Sequence, residues 1–195
     1  MKTSSLLPLL ALFAVVGCAT SVDTSNPISF DKMMTNPLYA QRYWEDLTET
    51  MVNIQINKDK DIVGNQQKLA AVDTLRRNAL EKAQTISLLM HGGKEGQFLT
   101  IKEQTNGSVL LLNNILYFSP DFETVPGSSL HLYLTQSVDP RNGSFPDKTS
   151  TDLGKLASPY GAQQYPVPGK NVTALRTAVL YDTDLSRIYG FVQLQ

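Results

Sequence analysis

The sequence predicts an α+β protein, with an N-terminal segment of two helices followed by a mostly antiparallel β-sandwich or partly closed barrel. Between residues 37 and 90, apolar side chains recur every three or four positions, as they do on one face of a helix. After Gly96 the period falls to two, and turn residues separate about seven short apolar runs. Helices and strands do not alternate along the chain, so a doubly wound parallel sheet is not expected.

The composition limits the classes of protein to consider. The chain has 195 residues, of which 42% are hydrophobic, and 17 Lys and Arg against 18 Asp and Glu give a net charge of −1. This balance excludes a disordered chain and a basic nucleic-acid-binding protein. One Cys and two His (His91 and His131) exclude a disulfide framework and a thiolate zinc cluster, and they leave little for a histidine-rich metal site.

The first eighteen residues have the pattern of an export signal. Lys2 gives a positive start, and the apolar run 6–17 has twelve residues, where a membrane-spanning helix needs about 20. The segment Val15-Val16-Gly17-Cys18 resembles the bacterial lipobox, in which the Cys is acylated and becomes the new N-terminus. We therefore expect residues 1–17 to be a lipoprotein signal peptide and Cys18 to carry fatty acyl chains such as palmitate. The alternative is ordinary cleavage near Ala14 or Ala19, which leaves a small free thiol.

The residues after Cys18 predict a location and a spacer. By resemblance to enterobacterial lipoprotein sorting, Ala19 favours the outer membrane, with the protein facing the periplasm. Residues 18–36 are rich in Ser, Thr, Asn and Asp and show no sustained apolar period, which predicts a flexible tether. The chain is thus expected to be held in a bacterial cell envelope by its N-terminal lipid.

Residues 37–92 are predicted to form the helical segment. Asn36 followed by Pro37 is a helix start signal. A second helix is expected from about Gln66 to Met90, and Gly92 just after it is the stop signal. The first helix carries the only Trp, Trp44, beside two tyrosines. We expect this aromatic patch to be a core contact between the helices and the β-domain, and a ligand or membrane contact is the alternative.

Residues 96–195 are predicted to be a β-domain. Asn106-Gly107 between apolar runs predicts a hairpin. Residues 130–134 alternate strictly, so their three leucines share one face while His131 and Tyr133 share the other. Further strands are expected over residues 174–181 and 188–194, with a polar loop over residues 138–150.

Two motifs in this region carry a resemblance to a known family. The first is Phe118-Ser119-Pro120-Asp121-Phe122 with the strand over residues 127–135, and the second is Asp152-Leu153-Gly154-Lys155-Leu156 with residues 160–168. In this order they resemble the DM-thirteen domain, which occurs beside DOMON and cytochrome-type modules. The resemblance covers about half the chain and implies a compact β-domain with a role in extracytoplasmic electron transfer.

The sequence departs from that family at one position. Members carry a Cys where the last hairpin's first strand leads into its turn, and this chain has Tyr181 at or beside that position. A thiolate can act as a nucleophile, metal ligand or redox centre, whereas a phenol with a pKa of about 10 substitutes for none of these readily. The resemblance to an electron-transfer family therefore covers the fold of this domain and does not cover the family's cysteine site.

The candidate ligand-binding residues lie on one predicted surface. It comprises the strand face with His131 and Tyr133, and the turn with Tyr181, Asp182 and Asp184, next to the 138–150 loop. A calcium site at Asp182 and Asp184 beside Asp121 is an alternative to ordinary turn chemistry. No catalytic residue is assigned, because no nucleophile elbow or phosphate loop accompanies these residues.

Taken together, these observations predict a lipid-anchored, non-catalytic binding or accessory module of the cell envelope. Its expected partners are the membrane, through the lipid, and an envelope protein or small ligand; no nucleic acid and no cofactor are expected. One alternative is an extracytoplasmic electron-transfer accessory protein with bound haem or metal. Another is a hydrolase that uses His131.

Overall fold

A computed structural model describes residues 29–169 and 172–195. The predicted signal peptide, Cys18 and most of the predicted tether lie outside these residues. None of the helices in the described ranges is long and apolar enough to cross a membrane.

A short helix lies inside the segment predicted to be a tether. α1 (Phe30–Met33) starts at Ser29, whose hydroxyl accepts a hydrogen bond from the Lys32 amide at 3.3 Å. The Asn36 side chain is buried and donates to the Phe118 carbonyl oxygen at 2.8 Å. The boundary of the tether is therefore corrected: residues 29–36 belong to the folded part, because the Ser and Asn that suggested a spacer act here as helix caps.

The helical segment is an antiparallel hairpin of two long helices, α2 (Pro37–Ile56) and α4 (Gln66–Met90), with the short α3 (Lys60–Val63) at its tip. Asn36 and Asn65 cap the two long helices by accepting hydrogen bonds from their first amides. The start of α2 and the end of α4 lie together, since Leu38 and Met90 are in one apolar cluster. The predicted pair of helices is thus confirmed, with two short helices in addition.

Ten strands follow, and eight of them form one antiparallel sheet that curls into a nearly closed barrel, which confirms the predicted fold class. Its order is β7-β6-β9-β10-β1-β3-β4-β8, and the two edges approach where the Ala157 amide donates to the Tyr165 hydroxyl at 2.7 Å. The other two strands, β2 and β5, pair with each other. In chain order the strands are β1 (Lys94–Thr100), β2 (Thr105–Asn106), β3 (Ser108–Leu112), β4 (Ile115–Phe118), β5 (Glu123–Thr124), β6 (Leu130–Thr135), β7 (Thr151–Lys155), β8 (Gln164–Pro166), β9 (Thr177–Asp182) and β10 (Arg187–Gln193).

Three details differ from the predicted strands. The two-residue hairpin turn is at Asn113-Asn114, where both residues have positive φ and β3 pairs with β4, and not at Asn106-Gly107. β7 was not predicted, because Gly154 (φ +100°) interrupts its alternation. The strand predicted from residue 174 begins at Thr177, since Val172–Ala174 form a 3-10 helix.

Alternation along the strands sorts side chains to the two sides of the barrel wall. Leu130, Leu132 and Leu134 point into the barrel core together with Phe118 and other apolar side chains, as predicted from the sequence. On the outside, β3 and β4 receive the helical hairpin through Leu38 and Met90, which pack with Leu110, Leu112 and Tyr117. The other outer face, over β6, β9 and β10, holds a separate apolar cluster.

Trp44 is not part of the contact between the helices and the barrel. Its ring packs edge-on against Tyr43, with centroids 4.9 Å apart, and the Lys82 ammonium group lies 4.1 Å from its centroid. The expected core contact is therefore wrong for Trp44, although Tyr39 and Tyr43 of the patch line a cleft with Pro120 and Asp121 of the β-domain. Leu38, nearly two turns before Trp44 in α2, makes the core contact instead.

Candidate functional site

Neighbouring strands bring three of the predicted residues together on the outer face of the barrel. β6 and β9 pair with His131 opposite Tyr181, so both side chains point outward beside Tyr133. The rings of Tyr133 and Tyr181 meet edge to face at 5.9 Å, and the His131 ring stacks beside Tyr133 at 6.4 Å. The sequence-based prediction that His131, Tyr133 and Tyr181 share a surface matches this placement.

A residue of the polar loop completes an aromatic cluster, which we define as Tyr133, Phe145 and Tyr181. The Phe145 ring lies 5.6 Å from Tyr133 and 5.2 Å from Tyr181, in edge-on geometry with both. Tyr133 and Tyr181 are only 9% and 7% exposed. The loop thus shields the two tyrosines from solvent.

The loop is fixed to the barrel end by hydrogen bonds. The Thr135 hydroxyl, at the end of β6, donates to the Asp147 carboxylate at 2.8 Å. The Thr177 hydroxyl, at the start of β9, donates to the Ser137 carbonyl oxygen at 2.5 Å. These bonds hold Phe145 over the tyrosines.

A polar pair borders the aromatic cluster. The His131 Nδ1 and the Asp152 Oδ2 are 2.9 Å apart, and Asp152 is supplied by β7, opposite Tyr133 in the strand register. Burial favours a higher pKa for Asp152, but hydrogen bonds from the Gly154 amide and the His131 ring outweigh it and lower the pKa below its usual range. Asp152 is therefore a carboxylate at neutral pH.

The same carboxylate affects Tyr133. Burial raises the pKa of Tyr133, and the neighbouring Asp152 carboxylate raises it further. The phenol is consequently protonated at neutral pH. Cross-strand pairing thus places a protonated phenol and a carboxylate side by side on the outer face.

Asp182 lies on the other side of the wall from Tyr181, because successive residues of β9 point in opposite directions. Its carboxylate is fully buried and accepts hydrogen bonds from the amides of Ser129, Asp184 and Leu185 and from the Ser128 hydroxyl. Burial opposes ionisation, but these donors, led by the Leu185 amide, lower the pKa of Asp182. Asp182 therefore fixes the last hairpin turn and is not part of the outer surface.

The remaining predicted residues lie elsewhere. Asp184 is exposed in the turn after β9, and Asp121 is in a cleft with residues of α2. Across the described ranges, no three His, Cys, Asp or Glu side chains are grouped to hold a metal ion. Cys18 lies outside the described residues.

Two residues of the site were not anticipated from the sequence. Asp152 begins the second family-like motif and accepts a hydrogen bond from the amide of Gly154, two residues later. In a sequence, an Asp at this spacing from a Gly indicates a turn and not a functional site. Phe145 lies in a polar loop, where the sequence pattern does not say what it packs against. The pairing of β6 with β7 brings Asp152 to Tyr133, and the fold of the loop brings Phe145 there.

Comparison with protein-family models gives a match over the β-domain. A family model described as electron transfer DM13 matches residues 97–194, which is half of the chain and runs from β1 to the end of β10. No curated protein and no solved structure matches the sequence.

Proposed function

Because the chain belongs to the electron transfer DM13 family, we propose that it is a lipid-anchored accessory protein of an electron-transfer system in the bacterial cell envelope. In this proposal the protein turns over no substrate of its own, and its barrel presents the aromatic cluster and the His131–Asp152 pair to a protein partner. One observation carries the proposal: these side chains converge on one outer face of the domain that the family model covers.

The exposure of the side chains supports contact with a partner at this face. The side chains of His131 and Asp152 are 25% and 39% exposed, whereas the rings of Tyr133 and Tyr181 lie behind them, almost fully buried. A partner would therefore meet a small polar surface backed by aromatic rings. Electron-transfer complexes are typically weak and small, and such a surface suits them.

Photocrosslinking in intact cells tests this surface. A photoreactive amino acid at Lys155, which is exposed and pairs with His131 across the sheet, should capture the same envelope protein repeatedly. The matched control is Lys60, which is exposed in α3 at the tip of the helical hairpin and should give no such product. Equal capture from both positions, or none from Lys155, would contradict the proposed surface.

The lipid anchor is the second part of the proposal, and the lipobox-like sequence that ends at Cys18 supports it. We expect mass spectrometry of the mature protein to find Cys18 as an acylated N-terminus, and labelled palmitate to be incorporated. Cys18→Ala should abolish both the label and membrane retention. A mature chain that begins elsewhere would overturn the anchor, and fractionation of the two membranes tests the expected outer-membrane location.

The pairing of Tyr133 with Asp152 across β6 and β7 favours a second candidate function, one-electron transfer through the tyrosine itself. In this step an oxidised metal centre of the partner accepts an electron from Tyr133, the phenolic O–H bond breaks, and the proton passes to the Asp152 carboxylate. The products are a neutral tyrosyl radical, a protonated Asp152 and the reduced partner centre. The raised pKa of Tyr133 agrees with this, since the phenol keeps its proton until the electron leaves.

Light-driven oxidation tests the step without the partner. With a photo-oxidised ruthenium complex as the electron acceptor, electron paramagnetic resonance should detect a persistent tyrosyl radical in the wild-type protein. Tyr133→Phe should lack this radical, and Tyr160→Phe, which removes a tyrosine that is 56% exposed, should keep it. The same radical in Tyr133→Phe would exclude the tyrosine as the relay.

No specific observation favours the haem, metal or hydrolase alternatives. Among the described residues, no Ser or Thr hydroxyl hydrogen bonds to the His131 ring, as a hydrolytic triad would require. We propose that the protein acts without a cofactor. A visible absorption spectrum and elemental analysis of protein from its native host test this, and a haem band or bound metal would contradict it.

A further inference from the structure

One side of the helical hairpin carries exposed apolar side chains in a line. Leu75, Lys82 and Leu89 are seven residues apart in α4, so they follow one another along one side of the helix. Leu75 is 47% exposed and Leu89 is 52% exposed. Trp44 of α2 borders this line, since the Lys82 ammonium group lies against its ring.

Aromatic rings extend this surface towards the N-terminal end of the described chain. The Tyr43 ring lies between Trp44 and Phe30, with centroid distances of 4.9 and 5.0 Å. Phe30 is 46% exposed and follows Ser29, the first described residue. The segment that leads back to Cys18 therefore joins the folded part at this surface, which we name the hairpin face and define by Phe30, Tyr43, Trp44, Leu75, Lys82 and Leu89.

We propose that the hairpin face lies on the surface of the lipid bilayer that holds the Cys18 anchor. This inference rests on the lipid anchor of the proposed function. Ser29 is eleven positions after Cys18, and at about 3.3–3.6 Å per step the chain between them reaches at most about 36–40 Å. The hairpin face is thus always within a short distance of the membrane, which raises its effective concentration there.

The side chains of the hairpin face suit a bilayer surface. Trp and Tyr rings with a polar edge partition to the interface between headgroups and acyl chains. The two leucines can bury in the outer acyl region, and Lys82 can extend its ammonium group to lipid phosphates. The aromatic, aliphatic and basic side chains of the hairpin face therefore each suit one region of the bilayer: the interface, the outer acyl chains and the phosphates.

The position of Lys82 argues against a second copy of the chain as the occupant. Lys82 is midway between Leu75 and Leu89, so a symmetric dimer through this face would place its two-fold axis near Lys82. The two ammonium groups would then be close together at the centre of the interface, where like charges cost binding energy. A lipid surface imposes no such contact.

Trp44 provides the measurement, because it is the only Trp in the chain. The acylated full-length mature protein is reconstituted in vesicles of phosphatidylethanolamine and phosphatidylglycerol that contain lipids brominated near the headgroup. We expect the bromine atoms to quench Trp44 fluorescence and the emission to shift to shorter wavelength. Anchoring is measured separately, by flotation of the protein with the vesicles.

Two variants that keep Trp44 make the test specific. Leu75→Glu with Leu89→Glu in one chain should abolish the quenching while flotation persists. Leu88→Glu is the matched control, because Leu88 is 74% exposed on the same helix but lies 100° or more around the axis, by about 100° per residue. It should be quenched like the wild type, and circular dichroism should show the same helix content in all of them.

Each outcome decides the inference. Flotation without quenching in the wild type overturns the membrane contact and leaves the anchor intact. Quenching lost equally in Leu88→Glu also overturns it, since the hairpin face would not be the contact. An emission shift that depends on protein concentration without vesicles would identify a second copy as the occupant. Failure to float overturns the anchor, and this inference with it.

Discussion

Replacing Asp182 with Asn should destabilise the barrel although it changes only one non-hydrogen atom. The Asp182 Oδ1 accepts hydrogen bonds from the Asp184 and Leu185 amides, each at 3.0 Å, and an Asn oxygen can keep both. The other oxygen, which accepts from the Ser129 amide at 3.3 Å, becomes an NH₂ group that faces another donor. Losing one hydrogen bond to a charged acceptor in a buried site costs about 2 kcal/mol of the free energy of unfolding.

The pH dependence has a definite sign. The pKa of Asp182 is lowered in the folded state, so the carboxylate stabilises the fold fully above its unfolded pKa of about 3.9. That contribution is lost as the pH falls through the folded pKa. The stability difference between wild type and Asp182→Asn should therefore be constant at neutral pH and shrink in acid.

Urea unfolding at several pH values and thermal unfolding at pH 7, both followed by circular dichroism, measure the two effects. At pH 7 the melting temperature of Asp182→Asn should fall by about 4–8 °C for a domain of this size. Asp184→Asn is the control, because that side chain is exposed in the turn and its replacement should change little. The role given to Asp182 would be refuted if Asp182→Asn were as stable as the wild type at pH 7. It would also be refuted if the loss of stability stayed constant down to pH 2.

Three further predictions concern the core, a turn and the site. Leu132→Ala removes a fully buried side chain of the barrel core and should lower the free energy of unfolding by about 3 kcal/mol in urea, whereas an unchanged urea midpoint would contradict the packing described for β6. Asn114→Ala keeps the β-carbon at φ +60° but loses the polar side chain that lets Asn adopt left-handed backbone, and should cost about 1 kcal/mol, while Asn114→Gly should cost none; thermal unfolding that ranks the two variants the other way would be inconsistent with the turn. Asp152→Asn removes the charge beside Tyr133 and should lower the pKa of that phenol, measured by phenolate absorbance as the difference from Tyr133→Phe; an unchanged pKa would place Asp152 away from the hydroxyl.

Where a strand is regular, the apolar alternation in the sequence was sufficient to predict which side chains point into the barrel. The alternation over residues 130–134 determined which side chains enter the barrel and which lie outside, and this placed His131 and Tyr133 correctly. The hairpin turn was misplaced because Asn-Gly is the stronger local signal, but residue 106 belongs to a strand that pairs with β5. Long-range pairing overrode the local preference.

The site could be predicted only in part. Tyr181 was grouped with Asp182 and Asp184 because they are neighbours in sequence, whereas the strand sends Tyr181 outward and Asp182 inward. Asp152 reaches Tyr133 through the pairing of β6 with β7, and a bulge between His131 and Tyr133 shifts that register. Contacts of this kind depend on the register between strands, which a single sequence does not encode in its periodicity.

The arrangement of β1 has a consequence for biogenesis. Its first half, Lys94 to Gln97, pairs with β3, while Phe98 to Thr100 pair with β10. The last strand therefore fills a central place in the sheet, between β1 and β9. A nascent chain in which β10 has not yet been synthesised cannot complete the barrel, whereas the two long helices can already pair with each other. Closure of the barrel therefore waits for contacts between segments that are far apart in the sequence.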